Sequence, residues 1–185
     1  MKFPTLFAAL VAAAPLAGVT LPAAAENGAP AVLVAAASDI KTPDFVQKVA
    51  ISDMFEVESS KLALERSKDP GVRKFAAEMV HDHTMTTNKL KETLAASHID
   101  ATPPTALDDA HQQLLQQLRD SSAADFDRDY MKIQVQGHED ALTLLQSYSE
   151  SGDNDALKQV ATKTIPMVKK HLAAAQKISL VSKQT

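Results

Sequence analysis

Asp69-Pro70-Gly71-Val72-Arg73-Lys74-Phe75-Ala76-Ala77-Glu78-Met79-Val80-His81-Asp82-His83-Thr84 opens the segment whose reading decides the fold. The Asp-Pro-Gly triplet is a strong chain break. Beyond it, at about 100° of rotation per residue, Val72, Ala76, Met79, His83, Thr87, Leu90 and Leu94 share one arc. That spacing predicts an amphipathic helix over roughly 71–97. His83 lies near the centre of its apolar arc. His81 falls on the opposite side with Lys74, so it is expected in solvent.

The same period recurs on both sides of this segment. It predicts helices over roughly 43–68, 123–150 and 154–180, with a shorter one over roughly 106–119. Thr42 is a candidate cap for the first, with Pro43 at the first helical position. Asp100-Ala101-Thr102-Pro103-Pro104 reads as a loop, and Ser121-Ser122 separates the short helix from its successor. Ser151-Gly152-Asp153 reads as a glycine stop. Pro166 lies inside the last helix and predicts a local kink, because it lacks an amide proton and crowds the preceding turn. Four long helices of about 25–28 residues, each about 40 Å long, suit an all-α four-helix bundle with an additional short helix between helices two and three.

Composition agrees. The chain has 185 residues, enough for one domain with a real core. Five glycines, no tryptophan and only 4% aromatic residues favour helix over sheet. The absence of cysteine excludes disulfides, thiolate metal sites and cysteine nucleophiles. Lys2, the apolar run Leu6–Leu21 and the small residues Ala23-Ala24-Ala25 read as a signal peptide over residues 1–25. Ala35-Ala36-Ala37 is a second possible cleavage site, and residues 26–42 read as a flexible leader before the domain at 43–181. The apolar run is too short and interrupted for a convincing membrane span, and no transmembrane segment is expected in the mature chain. Export to the periplasm of a Gram-negative bacterium is therefore expected. Removing Lys2 takes the formal charge from −4 to about −5, which argues against nucleic acid as a partner.

The candidate chemistry is a cluster. His83, His138 and His171 lie on three different helices, and Asp53 and Glu56 fall within one arc of the first. His171 shares its arc with Leu157, Ala161, Thr164, Val168, Leu172 and Ala175. His138 lies at the border of a stripe formed by Phe126, Tyr130, Ile133, Gly137, Ala141, Leu144 and Tyr148. Their depths along the helices agree to within roughly 6 Å. Glu56, His83, His138 and His171, with Asp53 as an alternate carboxylate, are thus candidate ligands for one divalent transition metal ion: Zn²⁺, Fe²⁺, Mn²⁺ or Cu²⁺. The same residues also suit a buried hydrogen-bonded layer that holds no ion. A second stripe on the first helix, Ile51, Phe55 and Leu62, needs a cover. Either the short helix or a partner subunit, including a second copy of the chain, could supply it. Glu78 and His81 have the spacing of a di-iron Glu-x-x-His pair, but the outward phase of His81 argues against that role.

Several ordered motifs carry a resemblance. Glu56-Val57-Glu58 with Lys61-Leu62-Ala63, Val72 to Ala76 with Met79 to Thr84, Phe126 to Tyr130 with Gln134-Val135 and His138, and Ile165-Pro166 with His171-Leu172 together resemble a bacterial secreted family. This is the ferritin-like domain of unknown function 4142, and the likeness covers about residues 43–178. The resemblance implies a ferritin-like four-helix bundle in the bacterial envelope and no established activity. Val80 and Val168 stand three residues before His83 and His171, so the paired Glu-x-x-His motifs of di-iron proteins are missing. Three functional classes remain: a non-enzymatic envelope or stress protein binding one metal ion, a metal-dependent oxidoreductase, and a structural or partner-binding bundle.

Overall fold

The computed structural model describes residues 40–181. The expected signal peptide, both cleavage sites and nearly all of the expected leader lie outside these residues. The described chain is all-α. Its helices are α1 (Thr42–Arg66), α2 (Pro70–Ala96), α3 (Asp109–Asp120), α4 (Phe126–Ser151) and α5 (Asp155–Val181). Among the described residues, no helix is long and apolar enough to cross a membrane.

Local chemistry explains the breaks. The Asp69 side chain accepts from the Val72 amide at 2.8 Å and caps α2, with Pro70 as its first residue. Asp108 caps α3 by accepting from the His111 amide at 2.9 Å. Two expectations are corrected at helix ends. Thr42 is the first helical residue rather than the cap, and its hydroxyl instead meets Tyr148 Oη and Asp153 Oδ1, each at 2.7 Å. Gly152 does end α4, but at φ −59° and not in the left-handed region. It is needed for space, because a Cβ there would come within 2.6 Å of the Tyr148 carbonyl oxygen. Helix α5 runs continuously through Pro166.

The links Ser67–Asp69 and Gly152–Asn154 are short, so α1 with α2 and α4 with α5 form antiparallel pairs. The start of α1 meets the end of α4 at the Thr42–Tyr148 hydrogen bond. Farther along, Ser60 Oγ hydrogen-bonds Tyr130 Oη at 2.8 Å near the start of α4. Helices α1 and α4 are therefore antiparallel as well, and α2 and α4 run in the same direction. The connection from α2 to α4 must travel the length of the helices, and α3 lies within it.

Helix α3 covers the second stripe of α1. Ile51 and Phe55 are buried in one cluster with Leu107, Leu115 and Leu118, and Leu62 packs against it. The Phe55 ring meets the edge of His111 at 5.3 Å. Of the two covers considered for this stripe, the one seen is internal. Arg66 fastens it, donating to the carbonyls of Leu118 at 2.6 Å and Arg119 at 2.9 Å, with its guanidinium 4.5 Å above the Phe126 ring.

Two apolar clusters divide the core. One contains Ala63, Val72, Phe75, Met79, Tyr130 and Ala175; the other contains Phe45, Leu90, Leu145, Tyr148, Leu157 and Val168. Between them along each helix lie the buried polar residues, including Asp53, Glu56, His83, Gln134, His138 and His171.

Candidate metal centre

Each histidine is delivered by a different long helix, at the level where the two apolar clusters part. His83, His138 and His171 are 5%, 1% and 1% exposed. Their ring centroids form a nearly equilateral triangle: 5.8 Å from His83 to His138, 5.8 Å from His83 to His171, and 5.5 Å from His138 to His171. Each ring offers one nitrogen, and the three lie within 4.8 Å of one another.

The second nitrogen of each ring has a protein partner. His83 Nδ1 donates to Asp53 Oδ1 at 2.8 Å, and His138 Nδ1 donates to the Gln134 carbonyl at 2.7 Å. His171 Nε2 donates to Asp82 Oδ2 at 2.9 Å. These acceptors set the tautomers, leaving His83 Nε2, His138 Nε2 and His171 Nδ1 bare. All three bare nitrogens are buried without a hydrogen-bond partner. Burying a polar nitrogen unpaired is costly, so three converging on one place is unusual for a purely structural layer. Carboxylate or carbonyl on one ring nitrogen and a free lone pair on the other is the arrangement of metal-binding histidines.

The electrostatics favour neutral rings at two corners. Burial holds His138 down at about 3, with the charges of His83 and His171 adding to the effect. Burial also lowers His171, outweighing its hydrogen bond to Asp82. Burial acts downward on His83 too. There the Asp53 hydrogen bond, with the charges of Glu56, Asp53 and Asp82, prevails and leaves the pKa raised.

The two carboxylates do not enter the triangle alike. Asp53, 4% exposed, orients His83 and also accepts from the hydroxyls of Thr86 at 2.9 Å and Thr87 at 3.2 Å. Glu56 Oε1 lies 3.9 Å from His138 Nδ1, the nitrogen already engaged, and Oε2 has no partner. Glu56 lies against the α4 backbone, where a Cβ on Gly137 would stand 3.3 Å from Oε1. An alanine there would press on the Glu56 carboxylate, which would have to shift by a few tenths of an ångström.

Burial raises the Glu56 pKa from 4.5 to about 7. The folded metal-free protein therefore keeps a proton that the unfolded chain loses above about pH 4.5. The resulting stability is present at low pH and is lost as pH rises towards 7. Glu56→Gln removes the titration. In chemical denaturation, its stability relative to the parent should grow by about 2–3 kcal/mol between pH 4.5 and 7.5. A constant difference would contradict the buried, protonated Glu56.

Sequence phase misjudged one helix and missed one residue. On α4 the buried side chains include Met131, Gln134, His138 and Leu145, whereas Ile133, Gly137, Ala141 and Leu144 are only half-buried. His138 is thus central, not marginal. The apolar period does not point to Asp82, which sits beside the apolar arc at the edge facing α5. Its signal was its place directly before His83, one helical turn after Glu78. His81 points outward, its side chain 72% exposed.

A family model described as "Domain of unknown function (DUF4142)" matches residues 22–178. No curated protein matches the chain. Two solved structures have a similar fold. One is a DUF305 fragment from Deinococcus radiodurans, 13% identical, with a TM-score of 0.62 and coverage of 76% of this chain and 94% of that one. The other is CopM in its Cu(II)-bound form, 12% identical, with a TM-score of 0.65 and coverage of 77% and 97%. At such identities the likeness is one of fold alone.

Proposed function

The chain belongs to the DUF4142 family of domains of unknown function, and we propose that it is an exported, metal-binding bundle of ferritin-like connectivity. In this reading His83, His138 and His171 hold one divalent transition metal ion, with Asp53, Asp82 and the Gln134 carbonyl orienting the rings. The single long crossover from α2 to α4 supports the ferritin-like reading, because such bundles carry one crossover connection. The apolar N-terminal run with its small-residue cleavage sites supports export. An envelope or stress role follows from that location together with ion binding.

The observation that carries the proposal is the convergence of three buried, partnerless imidazole nitrogens whose opposite nitrogens are all engaged. An ion at the centre of a triangle with 4.8 Å edges would lie about 2.8 Å from each corner. Each ring then needs to move by at most about 0.7 Å to reach a usual metal–nitrogen distance of about 2.1 Å. An all-imidazole donor set favours Cu²⁺ or Zn²⁺ over Mn²⁺. The Cu(II)-bound state of a protein with the same fold makes Cu²⁺ the first ion to test. Glu56 belongs beside the centre as a reserve carboxylate, since its nearest contact is to the engaged nitrogen of His138.

Untagged protein equilibrated with Cu²⁺ or Zn²⁺ and then desalted should carry one ion per chain by elemental analysis. A His83→Ala, His171→Ala double variant should carry none. A folded parent protein that retains no ion would overturn the proposal.

A further inference from the structure

The inner triangle is buried, but one corner has a polar path outward. His171 is bonded to Asp82, whose side chain is 21% exposed. Glu78, Asp82 and His171 offer ligand atoms that lie within 4.8 Å of one another. A cation already rests at this place, for the Lys170 ammonium forms an ion pair with Glu78 Oε1. The exposed His81 ring stands 3.9 Å from Asp82 Oδ1, the oxygen not used by His171. Asp82 and His83 also line a cavity of about 920 Å³, whose walls include Met85 and Thr86 of α2 and Lys163 and Met167 of α5. That cavity reaches Asp82 of the outer cluster and His83 of the centre, while Glu78, Lys170 and His171 lie outside its walls.

We propose that Glu78, Asp82 and Nε2 of His171 form an outer, transient site for a hydrated divalent transition metal ion, and that this site loads the three-histidine centre through the α2–α5 seam. The inference rests on the proposed centre and adds its route of supply. Two carboxylates match a hydrated ion better than buried imidazoles do, since they attract it through its water shell and exchange oxygen ligands readily. A neutral imidazole has one bare nitrogen. His171 thus serves the outer position through Nε2, with its proton on Nδ1, or the inner one through Nδ1, with its proton on Nε2 against Asp82. As the ion passes inward, the proton leaves Nδ1 and one returns to Nε2 by way of Asp82 or solvent. The two positions are filled in turn. Lys170 competes for Glu78 and tempers capture.

Stopped-flow mixing of the full metal-free chain with Cu²⁺ tests the route, read by the copper absorption of the filled centre. Glu78→Gln should slow loading about fivefold or more, and should slow release as well because the route serves both directions. Lys170→Gln should speed loading. Glu58→Gln makes the same charge change on the exposed surface of α1 and should alter loading less than about twofold. If Glu78→Gln and Glu58→Gln load at equal rates while the parent binds Cu²⁺, the route is overturned and the centre stands. If the folded parent binds neither Cu²⁺ nor Zn²⁺, both are overturned.

Discussion

Saturation with Cu²⁺ or Zn²⁺, at about a thousandfold excess over the dissociation constant, is expected to raise the melting temperature by roughly 8–16 °C. The arithmetic is mass action: an ion bound only by the folded state contributes about 4 kcal/mol at that excess, and a domain of this size gains about 2–4 °C per kcal/mol. The gain should disappear in His138→Ala, the cleanest of the three single variants. His83→Ala would leave Asp53 buried at 4% exposure without its ring partner, and His171→Ala would strip Asp82. His138 bonds only to a helix carbonyl, so its loss removes a ligand without stranding a charge. Scanning calorimetry of parent and variant, with and without metal, checks the result. Equal metal-induced shifts in both would contradict the role given to His138.

The second large effect concerns α3. Phe55→Asp is expected to cost more than about 4 kcal/mol, enough to abolish or nearly abolish cooperative unfolding. Phe55 is 4% exposed inside the cluster made with Leu107, Leu115 and Leu118, so aspartate there loses the packing and buries an unpaired charge. Circular dichroism during urea titration measures it. A variant that stays folded and changes only its oligomeric state would mean that the stripe is a surface, contrary to the packing of α3.

Much of this architecture was legible because helical period is a local property. The Asp69-Pro70-Gly71 break and the stripes of α2 and α5 place His83 and His171 inward from sequence alone, and both prove buried. Direction was not legible. Whether the connection from α2 crosses the bundle depends on which helix ends meet, here Thr42 with Tyr148 and Ser60 with Tyr130, contacts separated by 106 and 70 residues. The phase of α4 was misread because hydrophobicity is a poor guide in a polar layer. Gln134 and His138 are buried by facing other polar groups, while Ile133 and Leu144 stay half-buried beside α1. Asp82 escaped notice for a related reason: its role depends on α5 lying alongside, and only packing places His171 at 2.9 Å.

X-ray absorption at the copper or zinc edge of the loaded, untagged protein tests the central claim most directly. The account predicts one ion with three imidazole nitrogens at about 2.0–2.1 Å, recognisable by the outer scattering of the rings. A ligand shell made mostly of oxygen, without imidazole scattering, would contradict it.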